Sequence, residues 1–300
     1  MTELVLTGLD GANPLGFLAA LGVLEALSEN HSGARLAWRD EGVWRPVVSG
    51  VAMDREALVA FLDADRQAVA SDPALALQYG GGVRDLKPPP AEYRAYLEGL
   101  VAAARVDSRR SVDWANAFAT DVAVDNNGAT KPTALHFTAG RQLWLEMVNK
   151  LVAEVTAADL HEGLWGPWIY TRELPVMAWD ATAARDYALR ASNPSTDKKA
   201  GVPGADWLAV RGMPAIAVAP RGARILTTGC SGEWKTGRFT WPLWGGPLGR
   251  ALVRSVVRTP QLSSLGARER EARGITCVFQ SGIRRTDQGG YGSFSPASVV

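Results

Sequence analysis

The chain has 300 residues, 47% of them hydrophobic and 21% charged, enough to bury a sizeable core and unlike a disordered or fibrous chain. A formal net charge of +1 argues against a freely acting polyanion binder. Two cysteines, Cys230 and Cys277, make no disulfide framework.

The first element is strand-like, "ELVLTGL", followed by a turn at Gly8, Asp10 and Gly11. In "LDGANPLGFLAALGVLEAL", Asn13 is a good N-cap and Pro14 suits the first helical position. Glu25 is the only charged residue from Leu15 to Leu27, so the helix has no polar stripe. Met1 to Asp10 carries no Lys or Arg, unlike a secretory signal, and Gly16 and Gly22 interrupt a run already shorter than a membrane span. The expectation is a helix buried inside the fold of a cytoplasmic protein. There its glycines admit a neighbouring backbone at a propensity cost of about 1 kcal/mol each.

"ARLAWRD" and "VWRPVVSG" alternate as two strands around a turn at Asp40 to Gly42. Asp54 caps a helix whose Leu58, Phe61, Leu62 and Val69 share a face. "GGGVRDLKPPP" is a loop, and 91–119 is helical with a break near Asp107 to Arg110. "DNNGATKPT" is a turn in which Asn127-Gly128 suits positive φ. "RQLWLEMVNKLVAEV" is an amphipathic helix burying Leu143, Met147, Leu151 and Val155. An irregular region with Trp165, Trp168 and Trp179 follows, then a long exposed loop, "RASNPSTDKKAGVPGAD". "ADWLAVRGMPAIAV" and "ARILTTG" resume core-like patterns. "FTWPLWGGPLGRALVRSVVRT" reads as an aromatic turn leading into a helix, before a glycine-rich tail. The fold class expected is α+β, mixed helices and antiparallel sheet around the buried N-terminal helix. It forms a single unit over 1–300 with a soft division near 190–204.

Charge changes along the chain. From Ala205 to Val300 there are 13 Lys or Arg against 5 Asp or Glu, a balance of +8, which leaves −7 for the residues before. Such asymmetry suggests a partner of oriented charge, although scatter over a folded surface is the alternative. Arg250, Arg254 and Arg258 are four apart and share a helix face. Lys198 and Lys199 sit in the long loop, Lys235 and Arg238 flank Gly237 beside Trp234, and Arg284 and Arg285 precede the tail. These nine residues are the candidate nucleic-acid contacts, with Trp234 placed for stacking. If three of Arg250, Arg254, Arg258 and the lysine pair hold duplex phosphates, replacing them flattens the salt slope by roughly 2–3 units. A solvated helix face is the plainer reading of the arginines, and core packing of most tryptophans.

The residues point to no catalytic constellation, metal site or cofactor. His31, His136 and His161 are far apart, and His136 between Leu135 and Phe137 reads as a satisfied core histidine. Around Ser231 the glycine spacing of a nucleophile elbow fails, and no phosphate loop or dinucleotide fingerprint is present. Asp10, Asp113, Glu173 and Asp180 lie near apolar stretches, which keeps open a hydrolase with a carboxylate-based site.

"GANPLGFLAALGVLEAL" resembles the opening of CRISPR-associated proteins of type I-G (formerly I-U) systems. "PTALHFTAGRQLWLEMV", "WDATAARDYALRASNPS" and "GADWLAVRGMPAIAV" followed by "FTWPLW" extend the resemblance over most of the chain in a consistent order. It implies a non-catalytic subunit of an RNA-guided surveillance (Cascade-like) complex in antiviral defence, the large subunit or a shortened relative. The implied partners are other CRISPR effector subunits, guide RNA, target DNA and the helicase-nuclease, with no membrane. A length of 300 residues is short for a full large subunit, so reading the target-adjacent motif and merely stabilising the complex both stay open. A protein–protein adaptor of another defence system is the third possibility.

Overall fold

The computed structural model describes residues 3–105, 109–183, 200–286 and 290–300. The first half contains β1 (Leu4–Val5), α1 (Pro14–Asn30), β2 (Arg35–Asp40), β3 (Trp44–Ser49), α2 (Arg55–Val69), α3 (Pro90–Ala104) and α4 (Arg110–Phe118). Next come β4 (Ala119–Val124), β5 (Thr130–Pro132), α5 (Trp144–Glu154), α6 (Ala157–Trp165) and α7 (Pro203–Gly212). The remainder is β6 (Val218–Arg221), β7 (Arg224–Thr227), β8 (Cys230–Ser231), β9 (Gly237–Trp244), α8 (Arg250–Val257), α9 (Ala267–Ala272), β10 (Ile275–Arg285), β11 (Gly292–Phe294) and β12 (Ser298–Val299). Helices and antiparallel sheets make this an α+β fold.

Its centre is α1. The Asn13 side chain accepts from the Leu15 amide at 3.1 Å, Pro14 occupies the first turn, and every residue from Pro14 to Leu27 is buried. One flank meets aromatic strands: Phe17 lies 5.9 Å from the Trp38 ring of β2 and 5.9 Å from that of Trp241 in β9. The other flank meets α7 so closely that glycines stand at the crossing. A Cβ on Gly22 would lie 1.8 Å from the Leu208 carbonyl oxygen, and one on Gly212 would lie 2.3 Å from that of Leu18. The helix without a polar stripe is therefore sandwiched, as its composition predicts. The one charged residue of that buried stretch, Glu25, is 2% exposed, and Glu29 follows in the exposed last turn.

Around this helix, the order β1-β3-β2 forms one antiparallel sheet and β11-β10-β9-β8 a second, with β12 also beside β10. A backbone bridge between Leu36 and Leu248 ties β2 to the segment after β9. β4–β5 and β6–β7 are separate hairpins. One hydrophobic cluster runs from Leu4 to Phe294 and draws on both the acidic front and the basic back.

Four expectations need correction. "FTWPLW" is not a turn but most of β9, and all six of its residues are buried. With both faces covered there is no alternation to betray the strand. Pro242 is tolerated because β8 pairs only as far as Phe239, so the missing N–H faces no partner strand. Trp165 closes a regular helix, α6, opened by a reciprocal cap between Thr156 and Asp159. α5 buries Trp144, Leu145, Val148, Leu151 and Val152, whereas Leu143 and Met147 lie half-buried on its shoulder. Of the segment expected as a long exposed loop, 190–199 lies outside the described residues, and Pro203 and Gly204 are not loop but the buried first turn of α7. A Cβ on Gly204 would meet the Asp159 carbonyl oxygen at 2.0 Å, so this glycine serves helix packing. Lys198 and Lys199 lie outside the described residues.

Candidate nucleic-acid interface

The nine candidate contacts divide by what their side chains touch. α8 does align Arg250, Arg254 and Arg258, but the stripe faces a cleft between helices and is largely spent on the protein. Arg254 holds Glu25 with two bonds of 2.7 and 2.8 Å and donates to Asp113 at 2.8 Å. Arg258 donates to the Pro214 carbonyl oxygen at 3.1 Å. Arg250 reaches Glu25 only at 3.9 Å. A solvent-facing phosphate stripe is thus not what the spacing signals: Arg254 is a structural ion-pair partner.

The other four described candidates gather at one end of the second sheet. Arg238 of β9 sits opposite Gly282 of β10, so Arg284 is its diagonal neighbour on the same face, and both are exposed. The turn before β9 carries Trp234 and Lys235, also exposed. Of the eleven tryptophans, all within the described residues, Trp234 alone is exposed, at 59%. Arg285 leaves the sheet on the face opposite Arg284 and lies under the indole, 3.8 Å from the ring centroid.

Arg285 is anchored. Its guanidinium donates to the carbonyl oxygens of Ala134 at 2.9 Å and His136 at 3.1 Å, and packs over Phe137. No carboxylate among the described residues pairs with it, and burial pulls its pKa down to about 10. The corner therefore holds a fixed cation, with no carboxylate partner among the described residues, beneath an exposed aromatic face and near Lys235, Arg238 and Arg284. It can stack a planar group and attract its negative charge.

The carboxylates do not assemble a catalytic pair. Asp10 accepts from the Ala12 amide in its turn, Asp113 belongs to Arg254, and Glu173 is exposed. Asp180 is saturated by Asn13, Tyr170 and both the amide and hydroxyl of Thr182. His136 is buried between Asp85 and Thr138, and burial holds its pKa below the ordinary value despite Asp85. Among the described residues no three His, Cys, Asp or Glu could hold a metal ion, and no helix is long and apolar enough to cross a membrane.

Sequence reasoning missed Asp206. Its Oδ1 accepts from the Met177 amide at 3.1 Å, while Oδ2 is buried with no partner among the described residues. Burial, reinforced by the charge of Asp180, pushes its pKa up to about 8. The folded chain therefore keeps a proton that the unfolded chain releases, and stability falls as pH rises from about 4 to about 8. Asp206→Asn, neutral at every pH, is expected to flatten that decline in urea midpoints. A slope equal to the wild type's would show that Asp206 ionises normally.

No family model matches the chain, and no curated protein matches it.

Proposed function

We propose that this protein is a non-catalytic subunit of a CRISPR RNA-guided surveillance complex, and that it meets unpaired nucleic acid at the Trp234 corner. The observation that carries the reading is the exposed indole over an anchored arginine, with three further exposed cations beside it. The stretches that resemble type I-G proteins also interlock. The Asn13 amide donates to Asp180, the Trp179 indole donates to the Leu135 carbonyl oxygen, and the Trp241 indole donates to that of Gly11. They behave as one packing unit, which supports treating their order as a single signature. Neighbouring effector subunits, guide RNA, target DNA and the helicase-nuclease are the partners proposed.

The corner makes a sharp test. Trp234→Ala in the assembled complex is expected to weaken single-strand binding by about 1–3 kcal/mol per stacked base. Its melting temperature should not change, because the ring is already exposed. Replacing Lys235 and Arg238 with Gln should reduce the salt slope by roughly 0.7 for each phosphate no longer neutralised. Unchanged affinity in Trp234→Ala, or co-purification with proteins but no nucleic acid, would overturn the reading in favour of an adaptor.

A further inference from the structure

The cleft faced by α8 has a different chemistry from the Trp234 corner. It encloses about 890 Å³ between the end of α1, the middle of α2, the start of α4, the end of α7 and α8, and five arginines and four carboxylates line it. Which of these groups still has unused hydrogen-bonding capacity decides what could enter.

The acceptors are consumed. Glu25 gives both oxygens to Arg254, and Glu29 gives one to Arg211 and one to Arg110. Asp65 takes two bonds from Arg211, and Asp113 gives Oδ2 to Arg254. Only Asp113 Oδ1 is left, 3.8 Å from Arg109. The donors are not consumed. Among the described residues the side chains of Arg109 and Arg250 make no hydrogen bond, their nearest carboxylates lying at 3.8 and 3.9 Å, beyond bonding range. Their side chains are 81% and 39% exposed, and they stand at the two ends of the chain Arg109–Asp113–Arg254–Glu25–Arg250. Arg250 is moreover the first residue of α8, where no side chain caps the helix and a cation opposes the helix dipole.

Two spare guanidiniums against one spare carboxylate oxygen among the described residues favour a ligand made of acceptor oxygens, and two forked guanidiniums favour one with several such groups. We propose that this cleft binds a cluster of phosphate groups, such as a triphosphate presents, held between Arg109 and Arg250. The site is separate from the Trp234 corner and does not depend on the proposed function.

Inorganic tripolyphosphate, titrated into the full-length protein by calorimetry, is the probe. The expected result is saturable one-to-one binding that falls at least tenfold in the Arg109→Gln/Arg250→Gln double variant. That variant should keep the wild-type melting temperature, since neither side chain is hydrogen-bonded. Arg238→Gln and Trp234→Ala should bind tripolyphosphate as the wild type does, and the double variant should keep single-strand affinity, so either proposal can fail alone. The proposal is overturned by absent saturation, by binding that survives in the double variant, by equal loss in Arg238→Gln, or by citrate binding as tightly as tripolyphosphate.

Discussion

Gly22→Ala is expected to destabilise the protein by about 3 kcal/mol or more, lowering the melting temperature by roughly 6–12 °C. Within an isolated helix the change would stabilise by about 1 kcal/mol, because alanine is the better helix former. Here the added methyl would sit 1.8 Å from the Leu208 carbonyl oxygen, and a backbone atom of a packed helix cannot rotate away. α1 and α7 would have to separate, opening voids along a contact that is buried throughout. Gly212→Ala should do the same from the opposite side, where the obstacle is the Leu18 carbonyl oxygen at 2.3 Å. Once either alanine has parted the helices the second finds room, so the double variant should cost less than the two single costs together. Gly99→Ala supplies the contrast. It lies within α3 with no atom inside 4 Å of the added methyl, and should be neutral or stabilising. Equal thermal midpoints for Gly22→Ala and Gly99→Ala would show that the two helices are not in backbone contact.

That contact also shows which parts of the molecule were legible in sequence. Asn13-Pro14 and a run without a polar stripe declare both the start and the burial of α1, because capping and solvation act locally. β2 declares itself through alternation, Leu36 and Trp38 being buried between more open neighbours, whereas β3 buries Pro46, Val47 and Val48 in a row. β9 has no such signature, since burial on both faces removes the period. α6 did carry a local signal, Thr156 three residues before Asp159, but its closing Trp165 blends into the tryptophan-rich run that follows. The site divides along the same line. Trp234, Lys235 and Arg238 are close in sequence, so their clustering could be read directly. Arg285 joins them only through the register of β9 with β10, and its anchoring carbonyls lie 149 and 151 residues away. Helical spacing likewise placed Arg250, Arg254 and Arg258 on one face, but spacing is silent on what a face meets.

What that face meets gives the second large effect. Arg254→Ala is expected to cost about 3–5 kcal/mol, because it leaves Glu25 charged and buried with its two-bond partner gone. Glu25 is 2% exposed and lies 229 residues earlier in the chain, so water cannot replace the guanidinium without opening α1 from α8. Removing both charges tests the same point another way. Glu25→Leu/Arg254→Leu should recover most of the lost stability, because a buried pair replaced by apolar side chains is often neutral. Arg250→Ala should cost under about 1 kcal/mol, its contact with Glu25 being long and partly exposed. Changing Arg250, Arg254 and Arg258 together to alanine then distinguishes the two roles for α8. A stripe of phosphate contacts would leave the fold intact and flatten the salt slope of duplex binding by roughly 2–3 units. The ion-pair geometry predicts the reverse: most of the Arg254 stability loss, and an unchanged slope in the folded fraction.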